Sequence, residues 1–171
     1  MNYFSLFDIA QQYQLDLDSL AQRYRVLQRL THPDKHASAS DQEKRMYMQK
    51  NAQINDGFRV LSDMVARGEH LLELRGVELP SEQETIGDIE FLMEQMELRE
   101  SLASASNLAE VQSLIDSISE SITTYIEHIS KLLANNTDSD NHSAGLELSK
   151  LKFLKKIAAE AKARAQKETI Q

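Results

Sequence analysis

The chain has 171 residues, no Cys, no Trp, two Pro, five Gly and a formal net charge of −8. That length fits one domain or two small ones. The missing Cys excludes a disulfide scaffold, a thiolate zinc site, a self-ligated iron–sulfur cluster and a cysteine nucleophile, and the scarcity of Pro and Gly argues against a loop-rich or all-β chain. The acidity is uneven. Residues 1–75 hold 10 Lys+Arg and 10 Asp+Glu, whereas residues 76–171 hold 9 and 17, a poor match to duplex nucleic acid. No stretch approaches the ~18 apolar residues of a membrane span. The opening MNYFSLFDIA lacks the basic segment of a signal peptide, so a cytoplasmic protein that folds from residue 1 is expected.

In chain order, Tyr3, Phe4 and Phe7 come first, as aromatics able to cover a helix pair. Leu20, Tyr24, Leu27 and Leu30 then mark one face of a helix over about 18–31, capped by Asp16 or Asp18 and stopped by Pro33. Tyr47, Asn51, Ile54, Phe58 and Leu61 give a second helix over about 41–62. The segment HPDKHASAS between them is the loop of a helical hairpin, and Val65, Leu71 and Leu72 suggest a short closing helix. Gly76 and Pro80 mark a linker over 76–81. Ser81 and Glu84 have capping-box spacing for a helix over about 83–102. The run Leu108, Val111, Ile115, Ile118, Ile122, Tyr125, Ile129, Leu132 is an unbroken heptad seam. Asn135 to His142 reads as a polar loop before a last helix over about 145–168. The expectation is an all-α protein in which residues 1–75 form a hairpin with short helices and residues 82–171 form an antiparallel three-helix bundle.

Two features carry chemistry. The first is the hairpin loop, where His32, Pro33, Asp34 and Lys35 follow a helix bearing Arg23, Arg25 and Arg29. Taken singly, these are a solvated basic face, a proline turn and a cap. His32 and His36 have the spacing of helical zinc ligands, but Pro33 interrupts any helix between them and no HExxH is present. No Gly-rich phosphate loop appears. Together with Tyr3-Phe4-x-Leu6-Phe7, Tyr24-Arg25-x-Leu27 and Ile54-Asn55-x-x-Phe58-x-x-Leu61, the loop resembles that of a J domain, the module by which co-chaperones stimulate Hsp70-type ATPases. The resemblance implies that His32, Pro33 and Asp34 dock on the Hsp70, with Arg23, Arg25, Arg29 and Lys35 as a basic contact surface. Basic side chains would steer toward an acidic partner, and Pro33 would lower the ordering cost of the loop. Thr31 and Gly57 depart from the pattern, standing where an aromatic and an Ala are frequent.

The second feature is helix 83–102, which carries two apolar stripes. Phe91, Leu98 and Leu102 can face the bundle, while Ile89, Leu92, Met93 and Met96 lie roughly 150° away. Phe153 is similarly off the inner face Leu148, Leu151, Leu154 and Ala158. A surplus stripe is either a second packing layer or a partner patch. The segment Phe91–Glu100, with Leu151-Lys152-Phe153-Leu154 downstream, is similar to the C-terminal domain of the HscB family, the specialised J-type co-chaperones of bacterial iron–sulfur cluster assembly. That resemblance implies a scaffold-binding face with Leu92, Met93, Met96 and Phe153 as apolar contacts and Glu97, Arg99 and Glu100 as polar rim. The acidic run Glu84, Asp88, Glu90, Glu94, Glu97 and Glu100 is a solvated face or a complement to a basic partner. The whole reading is a monomeric two-domain adaptor, not an enzyme, without cofactor or metal. It would bring a specialised Hsp70 and the cluster scaffold protein together. Its rivals are a general J-protein delivering unfolded clients and a structural adaptor with a fortuitous HPD.

Overall fold

Caps and helical periods set the elements of the computed structural model, which describes residues 1–170, Ile86 by its backbone only. The chain divides into two compact units, Met1–Arg75 and Gly76 onward. In the first unit, α1 (Tyr3–Leu6) is capped by the Asn2 side chain and buries Phe4. Helix α2 (Leu17–Thr31) starts at Asp16, whose carboxylate accepts from the Asp18 and Ser19 amides. A capping box of Ser40 and Glu43 opens α3 (Asp41–Ser62), and Asp63 caps α4 (Met64–Leu74) by accepting from the Val65 and Ala66 amides. Gly76, at φ +73°, takes the left-handed position that follows α4.

Helices α2 and α3 form an antiparallel hairpin. Tyr24 stacks on Phe58 at 4.1 Å and donates to Asn55, while Asn51 donates to Thr31 at the other end. Leu20, Ile54, Leu61, Leu71 and Leu72 fill the core, with Phe4 and Phe7 from the α1 segment. One expected core position is displaced. Leu30 is 58% exposed and Thr31 is buried instead, because the inward face continues 20, 24, 27, 31 at 3.6 residues per turn. The Thr31 hydroxyl donates to the Leu27 carbonyl and accepts from Asn51, so the polar side chain is satisfied inside the hairpin.

Gly57 answers to a close approach. A Cβ there would lie 2.8 Å from Tyr3 Cδ1 and 3.0 Å from Phe7 Cε2. The two aromatics sit directly on the α3 backbone.

In the second unit, the expected helix over 83–102 is two helices, α5 (Glu82–Ile86) and α6 (Ile89–Ser104). The Ser81/Glu84 capping box starts only α5. Asp88 re-caps the chain by accepting from the Phe91 amide at 3.1 Å. The seam helix is α7 (Leu108–Asn135), which buries Val111, Ile115, Ile118, Ile129 and Leu133. The expected polar loop over 135–142 shrinks to Asn136 and Thr137, because α8 runs from Asp138 to Ile170. Its polar residues are cap chemistry. Asn136 is left-handed at φ 53° and accepts from the Asn141 side chain, and the Thr137 hydroxyl accepts from the Asp140 amide. Helices α7 and α8 thus form a long antiparallel hairpin.

Helix α6 lies parallel to α8 in constant register. Asp88 meets Lys150, Phe91 meets Phe153, Arg99 meets Glu160, and Arg164 reaches the carbonyls of Leu102 and Ala105. The second unit is therefore an all-α three-helix bundle preceded by the short α5. No described helix is long and apolar enough to cross a membrane.

Candidate functional site: two partner surfaces

The segment His32–His36 is an ordered turn. His32 closes α2 at ψ 133°, as a residue before proline tends to. Pro33 then opens a 3-10 turn over Pro33–His36. The His32 Nδ1 accepts from the Asp34 amide at 3.3 Å, which leaves Nε2 as the ring's donor. The Asp34 carboxylate, 3.6 Å from the same nitrogen, is 91% exposed. Pro33 and Lys35 are exposed as well. An imidazole donor, a proline ring and a carboxylate acceptor thus stand on one 3-10 turn, able to pair with donors and acceptors of a partner surface.

His36 supports the turn from behind. Its Nε2 donates to the Leu30 carbonyl at 2.7 Å, and its ring lies on the Tyr47 ring at 3.4 Å and 5°. This role had no local signal, since Tyr47 is eleven residues away on α3. Among the described residues no group of three or more His, Asp or Glu side chains is arranged to hold a metal.

The basic residues divide. Arg25 and Arg29 are exposed one turn apart and lead along α2 toward His32. Arg23 does something different. Its guanidinium donates to the carbonyls of Phe7 and Asp8 at 3.0 and 2.9 Å and lies 3.7 Å from the Asp8 carboxylate. It clamps the end of α1 to α2, which reduces its freedom to meet a partner.

The second set of candidate residues lies on two helices. On α6, Ile89, Met93 and Met96 are 71%, 57% and 69% exposed, with Leu92 half-buried. On α8, Phe153 is half-buried against Phe91, ring centroids 6.0 Å apart. Glu97, Arg99 and Glu100 are exposed, and Arg99 pairs with Glu160 at 3.2 Å. Phe91 itself is buried, so of the two stripes on α6 one packs and the other faces solvent. Ile89 shares the outward stripe and extends the patch toward the start of α6. Exposed methionines are adaptable apolar side chains, and Glu90, Glu94, Glu97 and Glu100 of the same helix are exposed as well.

Polar groups gather where α6, α7 and α8 meet. Lys150 lies 2.7 Å from Asp88, 3.6 Å from Glu147 and 5.6 Å from the centre of the Phe91 ring. Its hydrogen bond to Asp88 is the first of the contacts that hold that carboxylate below its ordinary pKa. Burial, with the nearby charges of Glu94, Glu147 and Asp88, pushes the Tyr125 hydroxyl up to about 12.

Comparison with known proteins covers both surfaces. The family model described as the HSCB C-terminal oligomerisation domain matches residues 87–162. A co-chaperone protein HscB homolog of Shewanella woodyi is 44% identical over 164 residues, 94% of each chain. The solved structure of the chaperone HscB from Vibrio cholerae matches with a TM-score of 0.87 at 36% identity, over 98% of this chain and 99% of that one. The crystal structure of the human co-chaperone protein HscB matches with a TM-score of 0.89 at 29% identity, over 96% of this chain and 82% of that one.

Proposed function

Because the chain belongs to the HscB co-chaperone family, we propose that it is a bivalent adaptor of iron–sulfur cluster assembly that acts in the cytoplasm as a monomer. Its first unit docks on a specialised Hsp70 and stimulates that chaperone's ATPase. Its second unit holds the cluster scaffold protein. The observation that carries the reading is the pairing, in one chain, of an exposed HPD turn with an exposed apolar stripe of Ile89, Met93 and Met96 on α6.

In the first unit, His32, Pro33, Asp34 and Lys35 make the contact that triggers hydrolysis. Arg25 and Arg29 attract an acidic partner surface. Arg23 belongs to the same basic surface but acts mainly by fixing α1 against α2. In the second unit, Leu92, Met93, Met96 and Phe153 seat an apolar surface of the scaffold, and Glu97, Arg99 and Glu100 set orientation and association rate. Holding both partners at once raises the scaffold's effective concentration at the Hsp70. The chain itself performs no covalent chemistry.

The test separates the two surfaces. Hsp70 ATPase turnover and calorimetric scaffold binding are measured for the wild type, His32→Gln, Asp34→Asn and the triple variant Leu92→Ala/Met96→Ala/Phe153→Ala. The loop variants should lose stimulation and keep scaffold affinity, and the triple variant should do the reverse. Unchanged stimulation in both loop variants would refute the Hsp70 contact. Wild-type affinity in the triple variant would refute the patch.

A further inference from the structure

The scaffold-binding face proposed above draws on two helices. Whether Met93 and Met96 of α6 and Phe153 of α8 form one surface depends on what holds α6 in register. Apolar packing holds the C-terminal half of α6, where Leu98 and Leu102 lie against core clusters of α7 and α8. Toward its start, Phe91 is the one buried residue. Gln95 continues the inward spacing 91, 95, 98, 102, and its buried amide nitrogen finds no hydrogen-bond partner among the described residues. An unpaired buried donor opposes docking rather than favouring it. The start of α6 is therefore held mainly by the polar contact Asp88–Lys150, while Arg99–Glu160 in the middle and Arg164 at the end add to the apolar packing.

These tethers are unequal. The Arg99 and Glu160 side chains are 47% and 41% exposed, where solvent screens an ion pair. Lys150 and Asp88 are 17% and 36% exposed and 2.7 Å apart. Lys150 also lies over the Phe91 ring, which touches Phe153. Through Glu147, 3.6 Å away and itself 3.7 Å from His128, it is connected to α7. We propose that Lys150 is a positioning residue that holds the start of α6 against α8 and thereby assembles the scaffold-binding face. This rests on the scaffold-binding reading of the patch and adds the tether on which its shape depends. The ammonium stays charged there. Burial draws its pKa down, but the hydrogen bond to Asp88 and the charge of Glu147 outweigh it. Removing Lys150 leaves Asp88 able to cap α6 through the Phe91 amide, so the helix persists while its attachment loosens.

The experiment uses the full chain and the purified metal-free cluster scaffold protein of the same organism. Lys150→Met, Asp88→Asn and their double variant are titrated by calorimetry, and amide hydrogen exchange is followed in the free proteins. Lys150→Met should weaken binding about tenfold, equivalent to ~1.4 kcal/mol. The double variant should bind no worse than either single one, because both remove the same tether. Exchange should rise over residues 89–98 and stay unchanged in α7 and α8. Affinity within about twofold of wild type, additive losses, or exchange that rises in α7 and α8 as well would overturn the inference. So would lost affinity without faster exchange in α6, since Lys150 would then be a direct contact. The triple patch variant serves as control. If it binds normally, the scaffold-binding reading has failed. If it loses binding while Lys150→Met does not, only the tether has failed.

Discussion

Gly57→Ala sets two effects of opposite sign against each other. In a helix interior, alanine is favoured over glycine by about 1 kcal/mol, so propensity alone predicts a more stable protein. The added Cβ, however, would sit 2.8 Å from Tyr3 Cδ1, 3.2 Å from Tyr3 Cγ and 3.0 Å from Phe7 Cε2. Neither ring can retreat easily. The Tyr3 amide donates to His70 Nε2 at 3.2 Å, and the Tyr3 ring lies 4.9 Å from that imidazole. Phe7 is 1% exposed, and its carbonyl is held by Arg23. Overpacking of this kind costs about 1–3 kcal/mol. With both rings anchored the upper half of that range applies, and the net expectation is a loss of about 1–2 kcal/mol. In a unit of this size each kcal/mol corresponds to roughly 4–8 °C in melting temperature. Tyrosine fluorescence during urea or thermal unfolding suits the measurement, because four of the five tyrosines, Tyr3, Tyr13, Tyr24 and Tyr47, lie in the first unit. A Gly57→Ala protein more stable than wild type would refute the reasoning. The same substitution in a Tyr3→Ala background should change sign and stabilise, since most of the obstruction is then gone.

Two further expectations concern the same unit. His36→Ala removes the bond to the Leu30 carbonyl and the stack on Tyr47. An interaction near 1 kcal/mol corresponds to a factor of about 5. The concentration needed for half-maximal Hsp70 stimulation should therefore rise about fivefold, while stimulation at saturation is retained. An unchanged titration curve would show that the turn needs no support from α3. His70 is 8% exposed and accepts the Tyr3 amide at Nε2, so the folded state requires it uncharged. Burial lowers its pKa below the ordinary 6.5, Glu73 opposing and the terminal ammonium assisting. Above about 6.5 neither folded nor unfolded state binds the proton and the stability is complete. As the pH falls below that value, the unfolded chain takes up the proton first and stability is lost. Unfolding free energies at pH 7.5 and 5.5 should diverge more for wild type than for His70→Gln. Parallel pH curves would refute this.

Helix positions were largely legible because their causes are local. Apolar spacing of three and four put α2, α3 and α7 where they lie, and the side-chain caps Asp16 or Asp18 and Ser81 marked starts locally. Errors arose where one local signal had two structural meanings. The polar run Asn135–His142 serves equally as a loop or as cap and first turn, and the Asn136 and Thr137 hydrogen bonds make it the latter. At 83–102 a second cap, Asp88, ended the first helix and began another. Leu30 and Thr31 show that hydropathy yields to helical phase, since the inward direction at that point belongs to position 31 whatever stands there.

The candidate surfaces divide in the same way. The sequence by itself determined the identity and order of His32, Pro33 and Asp34 and the surplus stripe of Ile89, Met93 and Met96, because both are properties of a single segment. Only the tertiary structure decided that His36 braces the turn through Tyr47, that Arg23 holds the Phe7 and Asp8 carbonyls, and that Phe153 packs on Phe91. Each of these joins residues 11 to 62 positions apart. Periodicity fades over such separations, and distance, charge and packing between separate helices settle the outcome.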